Sequence, residues 1–219
     1  MMTKGPLIKS NFASWVGKSS SWLAAAALAL ACVPAVADDA RSHLQRFVAE
    51  VDSATGSFTQ QGGNARQAQS GEFSFQRPGR FRWHTLTPYE QLVISDGKVL
   101  RQYDPDLAQV TERPVDQSIG ASPAAILFGS GSLEESFELS NLDARDGLLW
   151  LRAIPRGADA GFAHVDIGFS QGMPARLDLL DAFGQTTRIE LSDIVPNAVL
   201  PSDAFAFEIP ADVDVVRMQ

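Results

Sequence analysis

Cysteine is almost missing: Cys32 stands alone among 219 residues, so no intrachain disulfide can staple the fold. Histidine is equally thin. His43, His84 and His164 lie far apart with no H-x-x-x-H pair, so a zinc site would need assembly from distant loops. Basic residues are outnumbered, 18 against 26 acids, and the net charge of −8 argues against a nucleic-acid partner or a purely electrostatic hold on an anionic bilayer. There is no phosphate-binding glycine loop, and no apolar run reaches the ~20 residues of a membrane-spanning helix. No cofactor is expected. What remains is an ordinary globular balance, 45% hydrophobic and 20% charged, in a length that fits one or two domains.

The first 37 residues read differently from the rest. They carry Lys4, Lys9 and Lys18 but no acid, then an apolar stretch from Trp22 to Ala31, then Pro34 and the small-x-small triplet Ala35-Val36-Ala37. This is the pattern of a signal peptide cleaved after Ala37. Cleavage would leave 182 residues (38–219), remove Cys32 and shift the formal charge from −8 to −11. A rival cleavage before Cys32 would give an acylated lipoprotein, but Ala29-Leu30-Ala31 places leucine one position from where a lipobox wants it. Either way the chain is exported. Residues 38–219 show no linker, repeat or low-complexity tract and are expected to form a single domain.

Asp38-Asp39 followed by Ala40, Leu44, Phe47, Val48 and Val51 at helical spacing predicts a short helix, with Gly56 ending it. From Ser57 the period becomes two, in runs such as Phe73-Ser74-Phe75, Phe81-Arg82-Trp83, Leu149-Trp150-Leu151, Arg188-Ile189-Glu190-Leu191 and Phe205-Ala206-Phe207. Closely spaced turn signals, among them Pro78-Gly79, Asp96-Gly97, Asp146-Gly147, Gly172 and Pro196-Asn197, favour an antiparallel meander over βαβ units. Only Arg113 to Ser130 breaks the pattern. There Ser122 can cap a short helix with Pro123 at its first position, Gly129 closing it, and a nearly all-apolar body of Ala124 to Phe128 that must lie on something apolar.

Chemistry is sparsely represented. Gly168-Phe169-Ser170-Gln171-Gly172 fits the nucleophile elbow, but Met173-Pro174 and the alternation after it read as a return strand, and no histidine follows Ser170. The acid pairs Asp104/Asp106 and Asp212/Asp214 lack the glycine-containing order of a calcium loop. No catalytic residue and no metal ligand is assigned, and the chain is expected to bind rather than catalyse.

One placement is unusual. Alternation along Phe73-Ser74-Phe75-Gln76-Arg77 sets Arg77 on the side of Phe73 and Phe75, facing an apolar interior, unless Pro78 ends the strand early and frees it to solvent. Both orientations are open on the sequence alone. Inward, the guanidinium needs acceptors, and backbone carbonyls of short covering helices could supply them.

The segment Gly71 to Trp83 (GEFSFQRPGRFRW) resembles the signature of the LolA family of periplasmic outer-membrane lipoprotein carriers. So do Ser57-Phe58-Thr59-Gln60, Leu92 to Lys98, Tyr103 to Val110, and Phe205 to Pro210 leading into Val213-Asp214-Val215. The resemblance implies a mainly β fold: an unclosed antiparallel β-barrel with an N-terminal helix and a short-helix lid over a hydrophobic cavity. It implies that Arg77 latches the lid, matched to Arg113 to Ser130, and that Phe73, Phe75, Phe81, Trp83, Val93, Ile126 and Leu127 line the acyl-chain cavity. It further implies triacylated lipoproteins as cargo, an inner-membrane ABC-type lipoprotein-release complex as donor, the outer-membrane receptor lipoprotein LolB as acceptor, and a monomer in the periplasm. Alternatives are an outer-membrane-anchored receptor of similar fold and a general periplasmic lipid-binding protein.

Overall fold

Hairpins dominate because the chain repeatedly places residues tolerant of positive φ between alternating strands. A computed structural model describes residues 39–63, 67–115, 127, 133–157 and 161–218. Helix α1 (Ala40–Glu50) is followed by β1 (Ser53–Gly62), β2 (Gln69–Gln76), β3 (Arg80–Thr87), β4 (Gln91–Asp96), β5 (Val99–Asp104) and β6 (Gln109–Pro114). A single helical turn, α2 (Leu133–Ser136), leads to β7 (Phe137–Arg145), β8 (Leu148–Pro155), β9 (Phe162–Ser170), β10 (Met173–Asp181), β11 (Thr186–Pro196) and β12 (Asp214–Arg217). The twelve strands of the described residues form one unclosed, curved sheet in the order β12-β6-β5-β4-β3-β2-β1-β11-β10-β9-β8-β7. The pairs Asp146-Gly147 (φ 54° and 74°) and Gln171-Gly172 (φ 50° and 84°) make the tight two-residue turns of β7–β8 and β9–β10.

Helix α1 starts where its cap does. The Asp39 carboxylate accepts from the Ser42 amide at 2.8 Å, a bond that holds its carboxyl below the ordinary range. Asn141 on β7 ties this end down, accepting from the Arg41 amide and donating to Asp39. Asn197 does the same at the other end, accepting from the Asp52 amide and donating to the Glu50 carbonyl.

One continuous apolar cluster occupies the sheet's inner face, joining Leu44, Phe47 and Val51 at α1 to Phe58, Phe75, Phe81, Leu151, Ile167 and Leu177. The outer face is partly covered as well. Leu92, Ile94 and Val110 are buried there beneath the tail, where the Phe207 ring lies 5.4 Å from Tyr103. On the β8–β11 side, register builds the charge ladder Arg152–Asp166–Asp178–Arg188 across four strands. Beside it the fully buried Trp150 lies against Gly168, with the Arg145 guanidinium 3.9 Å above its ring.

Three local expectations need correction. Gly56 does not end the helix: α1 stops at Glu50 and Gly56 lies inside β1, where the Phe73 ring fills the space a side chain would need. Arg113 and Pro114 belong to β6, because pairing with β5 carries the ladder to Val99–Pro114. Phe205 to Phe207 form no strand; burial of Phe205 and the Phe207–Tyr103 contact hold them as irregular chain. Ser122 to Gly129, the expected covering helix, lies outside the described residues except for Leu127, which is helical and buried.

Asp166 is the keystone of the ladder. Burial works to raise its carboxyl, but the two-pronged Arg152 contact at 2.7 and 2.9 Å, with Arg145 at 3.3 Å, outweighs burial and leaves it below the ordinary carboxylate range. A depressed carboxyl stabilises the fold above its unfolded-state pKa and loses that contribution as pH falls through the folded one. Asp166→Asn is therefore expected to cost about 2 kcal/mol at pH 7. In urea titrations the gap to the native sequence should close below about pH 4; a gap that persists unchanged at pH 3 would contradict this assignment.

Candidate functional site

The site is a wall of aromatic rings set by register. Pairing of β2 with β3, and of β3 with β4, aligns Phe73 with Trp83 and Val93, and Phe75 with Phe81, all on the inner face. Phe58, one strand over on β1, stacks on Trp83 with centroids 3.8 Å apart, and Phe73 lies 5.9 Å from the same indole. Two glycines make room for these rings. Gly56 backs onto Phe73, and Gly71 faces Phe58 so closely to β3 that a Cβ would overlap the His84 carbonyl oxygen.

Of the seven cavity residues expected from the sequence, six are brought together. Phe73, Phe75, Phe81, Trp83, Val93 and Leu127 share the inner cluster and are at most 9% exposed. Ile126 lies outside the described residues. Sequence reading missed Phe58, although its place in Ser57-Phe58-Thr59-Gln60 gives it the inward parity of Ala54 and Gly56.

Arg77 follows the strand parity inward. Its Nε donates to the Val51 carbonyl and its Nη2 to the Leu127 carbonyl, each at 3.0 Å, while its amide donates to the Asp52 carbonyl at 2.8 Å. The guanidinium sits 5.3 Å from the Phe47 centroid and 5.1 Å from that of Phe75. Burial lowers its pKa against the pull of Asp52. The side chain therefore pins three segments together: the end of β2, the exit of α1 and the backbone at Leu127. The α1 contact is invisible in the sequence, because Val51 offers only a main-chain oxygen.

Other candidates disperse. Ser170 ends β9, and Gln171-Gly172 turn directly into β10, the reverse of an elbow's strand-to-helix step. His43 stacks on Phe169 at 6.0 Å, His84 meets Glu90 at 2.8 Å, and His164 lies 3.9 Å from Asp166 with its pKa lowered chiefly by burial. Among the described residues no group of three metal-ligating side chains assembles. A groove of about 590 Å³ opens on the outer face between Glu72, Ser74, Arg82, His84 and the tail residues Leu200 to Ala204, but its lining is mostly polar and it lies across the sheet from the aromatic wall.

Residues 49–208 match the family model described as outer membrane lipoprotein carrier protein LolA. The chain belongs to the LolA family. The outer-membrane lipoprotein carrier protein of Bordetella avium (strain 197N) is 61% identical over 199 residues, covering 89% of this chain and 95% of that one. The protein of the same name from Bordetella pertussis (strain Tohama I) is 59% identical over 197 residues, covering 88% and 93%. In fold the chain is similar to an uncharacterized conserved protein from Thermus thermophilus, with a TM-score of 0.54, 15% identity, and coverage of 82% of this chain and 99% of that one. The family's matched span takes in the whole aromatic wall, Arg77 and both of its carbonyl partners.

Proposed function

We propose that this protein is a periplasmic carrier that shields the acyl chains of lipoproteins on their way to the outer membrane. The observation that carries the reading is a buried aromatic face beside which Arg77 donates to the backbone carbonyls of Val51 and Leu127. A 16-carbon chain exposes roughly 12 kcal/mol of hydrophobic cost in water at ~0.8 kcal/mol per CH₂, so it does not cross an aqueous space unshielded. The carrier must also let go. An empty state stabilised by closure subtracts from the gross binding energy and makes release possible, and two neutral-acceptor hydrogen bonds are weak enough to break.

In this reading residues 1–37 are removed as a signal peptide and the remaining domain works as a monomer, by binding rather than by catalysis. Phe73, Phe75, Phe81, Trp83, Val93, Ile126 and Leu127 line the pocket and Arg77 is the latch. Triacylated lipoproteins arrive from an inner-membrane ABC-type release complex and leave to the LolB receptor, and no nucleotide or cofactor binds the carrier itself. The relatives named as lipoprotein carriers support this reading across nearly their whole length.

Native mass spectrometry of protein recovered from a periplasm with maturing lipoproteins tests terminus and cargo together. The expected species begins at Asp38, lacks cysteine and holds one triacylated lipoprotein. An acylated Cys32 would point instead to an anchored receptor, and free lipid alone to a general lipid-binding protein.

A further inference from the structure

The inner wall changes character from one side to the other. Register runs Phe75–Phe81–Ser95–Leu100–Arg113 in one row and Phe73–Trp83–Val93–Gln102–Thr111 in the next. The wall is thus aromatic on β2 and β3, mixed on β5, where Leu100 is buried beside Gln102, and polar on β6 at Thr111 and Arg113. Val115, two residues beyond Arg113 and on the same side, packs against the inner cluster, which fixes the face that Arg113 shares. Ser95 in this row is satisfied, donating to the Gly79 carbonyl at 2.7 Å.

Arg113 is not. Its Nε is buried without a hydrogen-bond partner, the only such side-chain atom among the described residues. Its neighbour Glu112 is turned to the other face, where Arg101 and Arg217 engage it at 2.9 and 3.1 Å. A guanidinium offers five donors and no acceptor, and a buried donor left unmade is costly. Methionine or leucine would fill the place without that cost, so the arginine makes sense where a ligand supplies the missing acceptor.

Resting on the carrier reading above, we infer that Arg113 binds the acyl carbonyl of the cargo: an oxygen at the head of a fatty chain, whether ester, amide or free carboxylate. The head would then sit at the β5–β6 side of the Phe75–Phe81 row. The hydrocarbon runs from there toward Trp83 and Val93, one row of about 7 Å further along the strands. Arg77, at the same end of the sheet, has its Nε and Nη2 engaged by Val51 and Leu127 in the closed form. Arg113 supplies a donor that is already free.

The test uses the processed, full-length protein and three probes: palmitate, a triacylated lipopeptide, and a pyrene-tagged alkane that carries no oxygen. Each is titrated against the native sequence, Arg113→Met and Arg113→Lys. For Arg113→Met, affinity is expected to fall about tenfold for an oxygen-bearing probe and to stay within about twofold for the alkane. The empty variant should melt at or above the native temperature, since an unmet buried donor has been removed, and Arg113→Lys should recover much of the lost affinity. Loss for palmitate alone assigns the contact to a carboxylate; loss for both assigns it to the carbonyl they share. Unchanged binding of both oxygenated probes, or an equal loss for all three, overturns the inference while leaving the carrier reading in place. Failure of the native protein to bind any probe overturns both.

Discussion

Arg77→Leu is expected to load acylated cargo normally and to deliver it poorly. The leucine removes the hydrogen bonds that tie the α1 exit at Val51 and the backbone at Leu127 to the end of β2, without narrowing the aromatic wall. Hydrogen bonds from a charged donor contribute about 1.5–3 kcal/mol. On the carrier reading this free energy, about 3–6 kcal/mol for the two bonds, belongs to the closed, empty state, so its loss favours the loaded state and lowers the release equilibrium by about a hundredfold or more. Transfer from the loaded variant to an acceptor membrane, followed by the fraction of cargo left on the carrier, measures this directly. Native-like transfer would remove Arg77 from the release step.

Gly71→Val should have the largest effect on stability. Gly71 sits at a register shift between β2 and β3, and any Cβ there overlaps the His84 carbonyl oxygen and comes within 2.9 Å of the Phe58 ring. The oxygen belongs to a paired strand and cannot move without breaking the ladder, while the ring is clamped by Trp83 at 3.8 Å. A loss of about 3 kcal/mol or more follows, enough to leave little folded protein at physiological temperature. Gly157→Ala is the control: nothing lies within 4 Å of its Cβ direction, so its urea midpoint should match the native one. A folded, normally stable Gly71→Val protein would mean that β2 and β3 can separate locally at low cost.

Much of this arrangement is legible locally. Asp39 caps α1 as its sequence position suggests, and the turn pairs fall where Asp146-Gly147 and Gly172 place them. Strand parity sends Arg77 inward, where the sequence leaves two orientations open. What escapes reading depends on residues distant in the chain. Gly56 resembles a helix stop because a glycine that makes room for an aromatic ring on the next strand carries no local mark of it. Trp150 reads only as one member of an alternating run, and its full burial comes from Arg145 and from Gly168 on another strand. The tail pair Phe205 and Phe207 alternates like a strand, yet the tail packs over the outer face and only Asp214–Arg217 pairs, in parallel, with β6. Arg113 reads as the start of a break because a charge ending a β-run usually meets solvent.

A sheet of twelve strands that does not close keeps two free edges, and free edges invite other chains to add on. Here each is blunted by its own means. One edge is β12, only four residues long and bounded by Asp214 and Arg217. The other is β7, whose exposed residues include Glu138, Ser140, Asn141 and Asp143, and whose pairing with β8 slips between Leu142 and Arg145. The openness that leaves the sheet two ends is therefore matched at each end by a feature that disfavours the addition of another strand.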